Sequence, residues 1–115
     1  MVREVHFYET AVGNRPVEKF LNSLDGDVRE EILATMEYIE ETEQISRSLF
    51  CKMKGTQDLW EVRVSFKLNI YRIICFFDGA KVVVAASGFQ KKSQKTPKQE
   101  IETAHKRQKD YYRQR

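Results

Sequence analysis

Two arginines, Arg63 and Arg72, stand inside runs whose other members are mostly aliphatic or aromatic: Leu59-Trp60-Glu61-Val62-Arg63 and Tyr71-Arg72-Ile73. A guanidinium in a strand gives up hydration, so it persists either as a packed ion-pair partner or as a ligand for an anion. Alternation sorts the neighbours. Trp60, Val62 and Val64 share one face and Leu59, Glu61, Arg63 and Ser65 the other, while Tyr71, Ile73 and Cys75 alternate with Ile70, Arg72 and Ile74. A tight turn at Lys67-Leu68 sets Val64 opposite Tyr71, Val62 opposite Ile73, Trp60 opposite Cys75 and Arg63 opposite Arg72. A three-residue loop would shift the pairing by one and separate the arginines. Like charges across a ladder cost stability. An anion held between two guanidinium forks removes that cost, and phosphate has the matching geometry. Glu61, on the Arg63 face, offers the other solution, an internal ion pair.

Further cations extend the pattern. Lys52 and Lys54 lie at strand spacing, so both point to one side of a sheet and, with Arg63 and Arg72, line one concave face. Lys91, Lys92 and Lys95 stand where the last strand leaves the sheet, a usual place for flexible phosphate-holding cations. Other chemistries lack their signatures. Gly55 is not part of a GxxxxGK loop, and no GxGxxG occurs, which argues against nucleotide hydrolysis. His6 and His105 read as structural histidines. The carboxylates from Glu30 to Glu43 are spread around a helix without a supporting histidine, so no metal site is expected. Cys51 and Cys75 have no CxxC spacing and read as free thiols.

The elements that must position these residues follow from periodicity. Arg3 to Tyr8 reads as a strand. Gly13-Asn14 ends it, and Pro16 opens a helix with Val17, Phe20, Leu21 and Leu24 on one face. Gly26 interrupts, Asp27 is the predicted cap, and Val28, Ile32, Met36 and Ile39 mark a second helix ending near Thr42. Both are acidic outside and apolar inside, an αα-hairpin that covers one face of a sheet. Strands are predicted at 49–54, 59–66, 69–78 and 81–89, the last two joined at Asp78-Gly79, and the apolar run Ile70 to Phe77 marks a central strand. Thr96 as cap, Pro97 at the first helical position and Gln99 as capping-box partner open a final helix running to about Tyr112. Its inner stripe is Ile101, Ala104, Gln108 and Tyr111, and its outside carries Lys106, Arg107, Lys109, Arg113 and Arg115. The expected fold is α+β: an N-terminal strand and αα-hairpin packed on a mainly antiparallel sheet of about four to five strands, with a C-terminal helix.

The chain of 115 residues fits one domain, 1–115, with 41% hydrophobic and 32% charged residues. It has no apolar run long enough for a membrane span or secretory signal, which makes the cytoplasm the expected compartment. Charge is unevenly divided. Residues 1–50 carry 5 basic and 11 acidic side chains, net −6, against 15 and 6, net +9, for residues 51–115. The basic half is expected to face a polyanion and the acidic half to turn away from it.

These segments resemble the RelE/ParE toxin superfamily, and within it the phage-derived HigB-like branch. The likeness covers nearly the whole chain and is carried by Leu59-Trp60-Glu61-Val62-Arg63, Tyr71-Arg72-Ile73, Gly88-Phe89-Gln90-Lys91-Lys92-Ser93-Gln94-Lys95-Thr96-Pro97 and Glu100-Ile101-Glu102-Thr103-Ala104. The resemblance implies a RelE-like fold and a toxin of a type II toxin–antitoxin system. Its implied activity is ribosome-dependent, metal-independent cleavage of messenger RNA, without a cofactor, that blocks translation. The implied partners are a cognate helix-turn-helix-type antitoxin, the ribosome and mRNA, with no membrane.

By position, Arg63 and Arg72 become phosphate and transition-state ligands, Lys91 and Lys92 lie near the scissile site, and Lys52, Lys54 and Lys95 follow the RNA track. Many relatives place a histidine or tyrosine near this site, whereas here Ser87 precedes Gly88 and Phe89 follows. The base is therefore sought in a lysine whose pKa its cationic neighbours lower, or in Glu61. Phe89, if exposed, stacks on a nucleobase; its alternative is a core role. An acidic antitoxin segment is expected to cover the Arg63, Arg72 and Lys91 face. Two other functions fit the same superfamily: a ParE-like, non-enzymatic inhibitor of DNA gyrase, and an RNA- or ribosome-binding module without cleavage.

Overall fold

In a computed structural model that describes residues 1–92 and 96–115, the elements run β1 (Glu4–Phe7), α1 (Pro16–Asn22), α2 (Gly26–Glu41), β2 (Phe50–Lys52), β3 (Leu59–Phe66), β4 (Asn69–Asp78), β5 (Val82–Lys91) and α3 (Lys98–Gln114). The architecture is α+β. The five strands form one mixed sheet in the order β1-β5-β4-β3-β2, antiparallel except that β1 runs parallel to β5. Placing β4 in the middle matches its apolar composition, since Tyr71 through Phe76 is buried on both faces.

Each face has its own core. Val17 and Leu21 of α1 and Val28, Ile32, Met36 and Ile39 of α2 pack on Val62, Val64, Tyr71, Ile73, Cys75 and Val83. On the opposite face Ala104 of α3, with Ile101 and Tyr111 beside it, packs on Leu59, Ile74, Phe76, Val84, Ala86 and Phe89. The acidic α2 and the basic α3 thus lie on opposite sides of the sheet; α1, with Glu18 and Lys19, is neutral rather than acidic as expected. Cys75 is fully buried, which pushes its thiol up to about 12, so it is inert as a nucleophile.

Two backbone details set the side-chain directions. The β3–β4 hairpin turns on Lys67 and Leu68, both left-handed at φ 49° and 68°. That is the two-residue turn whose twist suits a hairpin, and it places Arg63 opposite Arg72, Val62 opposite Ile73 and Trp60 opposite Cys75. Between β4 and β5 the register shifts: Ile74 pairs with Ser87 but Cys75 pairs with Ala85, leaving Ala86 as an extra residue. This bulge turns Phe89 and Lys91 to the same face as Arg72. Gly88 faces α1, where an added Cβ would lie 2.6 Å from Cδ2 of Phe20 and 3.0 Å from Cδ1 of Ile73. Only glycine lets α1 come down this close.

Several expectations are corrected at element ends. β2 stops at Lys52, because the chain turns at Gly55 (φ 74°), so Lys54 lies beyond the strand. Asp25, not Asp27, precedes the first turn of α2; the Asp27 carboxylate instead accepts from its neighbour Val28 N and from Lys67 Nζ at 2.9 Å. Thr96 does not cap α3, which begins after Pro97, because its hydroxyl is drawn to Glu61. Arg107 is not an outward cation: its Nη1 donates to Ala86 O at 2.7 Å, which the bulge exposes. Among the described residues no helix is long and apolar enough to cross a membrane.

Leucine at a left-handed position is strained and here makes no compensating contact, since Leu68 is fully exposed. Leu68→Gly is expected to raise unfolding free energy by about 0.5–1 kcal/mol in urea denaturation. A loss of stability would show that the turn depends on its side chain.

Candidate anion site on the face of the sheet covered by α3

Arg63 and Arg72 lie directly across from each other on β3 and β4, as the hairpin requires. Their repulsion is answered from within the same strand. Glu61 Oε1 accepts from Arg63 Nε and from Arg72 Nη1, both at 3.0 Å, and Glu61 Oε2 accepts from Thr96 Oγ1 at 2.9 Å. Glu61 is only 3% exposed and Arg72 9%, so this is a buried ion pair; Arg63 keeps 41% of its side chain in solvent. The internal ion pair and the anion site are therefore not alternatives. One carboxylate neutralises one of two guanidiniums, and the cluster keeps a net positive charge before its lysine is counted.

Donors remain. Arg63 spends Nε on Glu61, makes no other side-chain hydrogen bond among the described residues and keeps 41% of its side chain in solvent. Arg72 Nε is buried with no acceptor among the described residues, a costly state in a folded protein. Lys91, opposite Ile70 and on the Arg72 face, sits close enough to feel the whole cluster. Burial lowers its pKa below the ordinary lysine value, and Arg72 and Arg63 add to that against the upward pull of Glu61.

A pocket of about 290 Å³ opens beside the cluster, its wall including Arg47, Lys52, Lys54, Glu61, Arg63 and Thr96. Lys54, Glu61 and Arg63 meet there, but Lys52 pairs with Trp60, so alternation puts its side chain on the α1/α2 face and it only touches the rim, against the expectation that it shares a face with Arg63 and Arg72. Arg72 and Lys91 stand beside that group rather than in the pocket wall. Lys52 Nζ is held by Asp58 at 3.1 Å. Lys92 is exposed just past β5, and Lys95 lies outside the described residues. Phe89 is 7% exposed and packs in the core beneath α3, so stacking on a nucleobase is replaced by its core role. Glu61 has both oxygens occupied and is shielded from solvent, the position of a group that orients the arginines rather than one that accepts a substrate proton.

Two contributors escaped the sequence. Arg47 lies in the short segment before β2, where no periodicity points anywhere. Thr96 carried the signal of a helix cap, and only the fold shows that its hydroxyl serves Glu61. His105 is a structural partner, with Nε2 accepting from Gln57 N at 3.0 Å; His6 is an exposed neighbour of Glu4. Among the described residues no group of three His, Cys, Asp or Glu side chains could hold a metal ion.

The family model for phage-derived protein Gp49-like (DUF891) matches residues 19–109, from within α1 to within α3, and so spans all of these site residues. The chain belongs to the Gp49-like family. No curated protein matches it. The Gp49-like match includes both halves of the arginine hairpin and the β5 strand that carries Lys91.

The burial pattern makes the two halves of the cluster unequal. Glu61→Ala leaves Arg72 buried and unpaired, and is expected to cost about 3–5 kcal/mol of unfolding free energy. Arg63→Ala removes an exposed partner and should cost no more than about 1 kcal/mol. Chemical denaturation of the two variants checks this, and equal small losses would mean that the ion pair is not buried in solution.

Proposed function

We propose that this Gp49-like protein is the toxin of a type II toxin–antitoxin system and acts in the cytoplasm as a ribosome-dependent, metal-independent endoribonuclease on mRNA. The observation that carries this reading is the paired Arg63 and Arg72, oriented by one buried glutamate, with Lys91 beside them. Family membership supports the coarser part, because Gp49-like proteins are associated with toxin–antitoxin systems. Likeness to the RelE/ParE superfamily, carried by the β3, β4 and β5 segments, supports the finer part.

The chemistry suited to these groups is transesterification within the RNA. The ribose 2′-oxygen attacks the adjacent phosphorus as its proton leaves to a base. The bond from phosphorus to the 5′-oxygen breaks, and that oxygen takes up a proton. The products are a 2′,3′-cyclic phosphate and a 5′-hydroxyl. The phosphate gains negative charge on the way, and guanidiniums fixed before the reaction stabilise it without reorganising. Arg63 reaches the phosphate from the solvent side and Arg72 supports it from below. Lys91 takes the base role, since its lowered pKa makes the neutral amine more available. Glu61 holds both guanidiniums in place. Lys52, Lys54 and Arg47 guide the flanking backbone, and Lys92, exposed just past β5, serves near the scissile site. A cognate helix-turn-helix-type antitoxin would neutralise the toxin.

The test is primer extension on a reporter mRNA in a reconstituted translation reaction. Wild type should give discrete ribosome-dependent stops. Arg63→Ala and Lys91→Ala should each reduce the cleavage rate by at least about a hundredfold, the lower end expected of an acid–base or charge-stabilising group. Arg72→Lys is a safer probe than Arg72→Ala, which would strand Glu61. Because the lysine must be neutral to act, single-turnover cleavage should rise with pH through the neutral to mildly alkaline range. A rate that falls with pH, or intact RNA in the presence of stalled ribosomes, would overturn the assignment.

A further inference from the structure

A second cavity, of about 640 Å³, opens at the end of β3 remote from the Lys67-Leu68 turn, lined by Trp60 and Phe77, which belong to the α1/α2 face of the sheet, and by residues of α3. Trp60, Phe77 and Tyr112 supply its rings, and His105, Gln108 and Lys109 its polar groups. None of these residues serves the arginine cluster. The rings are held in place before any ligand arrives: Trp60 meets Phe77 edge-on with centroids 5.2 Å apart, and Tyr112 Oη donates to Phe77 O at 2.6 Å while 43% of the residue stays exposed.

The polar groups are arranged for reading a flat, hydrogen-bonding ligand. Gln108 is 7% exposed, an amide on the buried stripe of α3. Its Nε2 donates to Gln57 O at 3.0 Å, which leaves Oε1 as an acceptor with no protein donor among the described residues. His105 Nε2 accepts from Gln57 N, so its ring proton sits on Nδ1, a donor. Lys109 is an exposed ammonium on the cavity wall. The exposed part of Tyr112, whose ring also meets Phe76, Tyr111 and the Arg115 guanidinium, the Trp60 ring, one acceptor, one donor and a cation make up the equipment that binds a base by aromatic and edge contacts and its phosphate by charge. The volume falls within the usual range for a small-ligand site, roughly 300–1,000 Å³. The cavity also adjoins the anion site: Asp58 on its wall pairs with Lys52 on the rim of the arginine pocket.

We propose that this cavity binds one nucleotide of single-stranded RNA, base inside and phosphate at Lys109, at a position flanking the bond held by Arg63 and Arg72. The strand then runs from the arginine cluster past Lys54 and Lys52 into the aromatic cavity. The inference rests on the ribonuclease reading for its ligand class, but its test does not.

Trp60 is the one tryptophan of the chain, so its emission reports on the cavity directly. Purified protein is titrated with 5′-AMP, and with inorganic phosphate as control, while Trp60 is excited at the red edge of its absorption. Saturable quenching by AMP and not by phosphate is expected. Lys109→Glu, an exposed change that leaves the core intact, should weaken AMP binding at least about fivefold, and Tyr112→Ala by a similar factor through lost aromatic contact. No saturable change with AMP, an equal response to phosphate, or an unchanged affinity in Lys109→Glu would overturn the proposal. So would saturable binding of a leucine-rich peptide where AMP has no effect, which would make the cavity a protein contact. Failure of the cleavage assay with AMP binding intact would remove the nuclease and leave the nucleotide site standing.

Discussion

The whole site depends on one carboxylate shared by two guanidiniums. Without Glu61, the hairpin would press Arg63 and Arg72 together in a partly dry environment, where their repulsion is poorly screened. With it, Arg72 can be buried and rigid while Arg63 stays at the surface with donors to spare. A fully neutralised pair would have no reason to attract an anion, and an unneutralised one would not fold well. The cluster lies between these limits, with Lys91 adding charge from β5 and a pKa that its surroundings lower.

Backbone geometry delivers these side chains to one place. The turn at Lys67-Leu68 fixes the β3–β4 register, and the extra residue Ala86 fixes which face Phe89 and Lys91 present. Helix α3 is tied down over Leu59, Ile74, Phe76, Val84 and Ala86 of that face. Its ties are specific: Tyr8 Oη donates to Asp110, Tyr111 Oη to Asp78, Arg107 to Ala86 O, and Ser87 Oγ to Glu100. Burial, together with the neighbouring carboxylates, pushes both tyrosine hydroxyls up to about 12, so they act as anchors and not as acid–base groups. The acidic α2 sits on the far face, where it keeps the approach of a polyanion one-sided.

Much of this was legible in the chain because alternation and turn chemistry are local. Trp60-Val62-Val64 against Tyr71-Ile73-Cys75 gave the hairpin register, and Ile70 to Phe77 gave the central strand. What could not be read was whatever depends on a partner distant in sequence. The bulge at Ala86 has no signature of its own. Thr96 looked like a cap because Thr-Pro before a helix usually is one, but a buried carboxylate competes better for its hydroxyl. Arg107 looked like a solvated cation on the outer face until Ala86 O was placed within its reach. Phe89 fits a core stripe as well as a base-stacking position, and only the location of α3 decides between them.

On the proposed reading, the arginine cluster works on an RNA phosphate through the neighbouring 2′-hydroxyl. The chemistry at the ends of the cut RNA tests it most directly. RNA recovered from translating ribosomes treated with the purified protein should carry 5′-hydroxyl ends and 2′,3′-cyclic phosphates at new positions. Fragments with 5′-phosphate and 3′-hydroxyl ends would contradict the account, because they require water rather than the ribose as nucleophile.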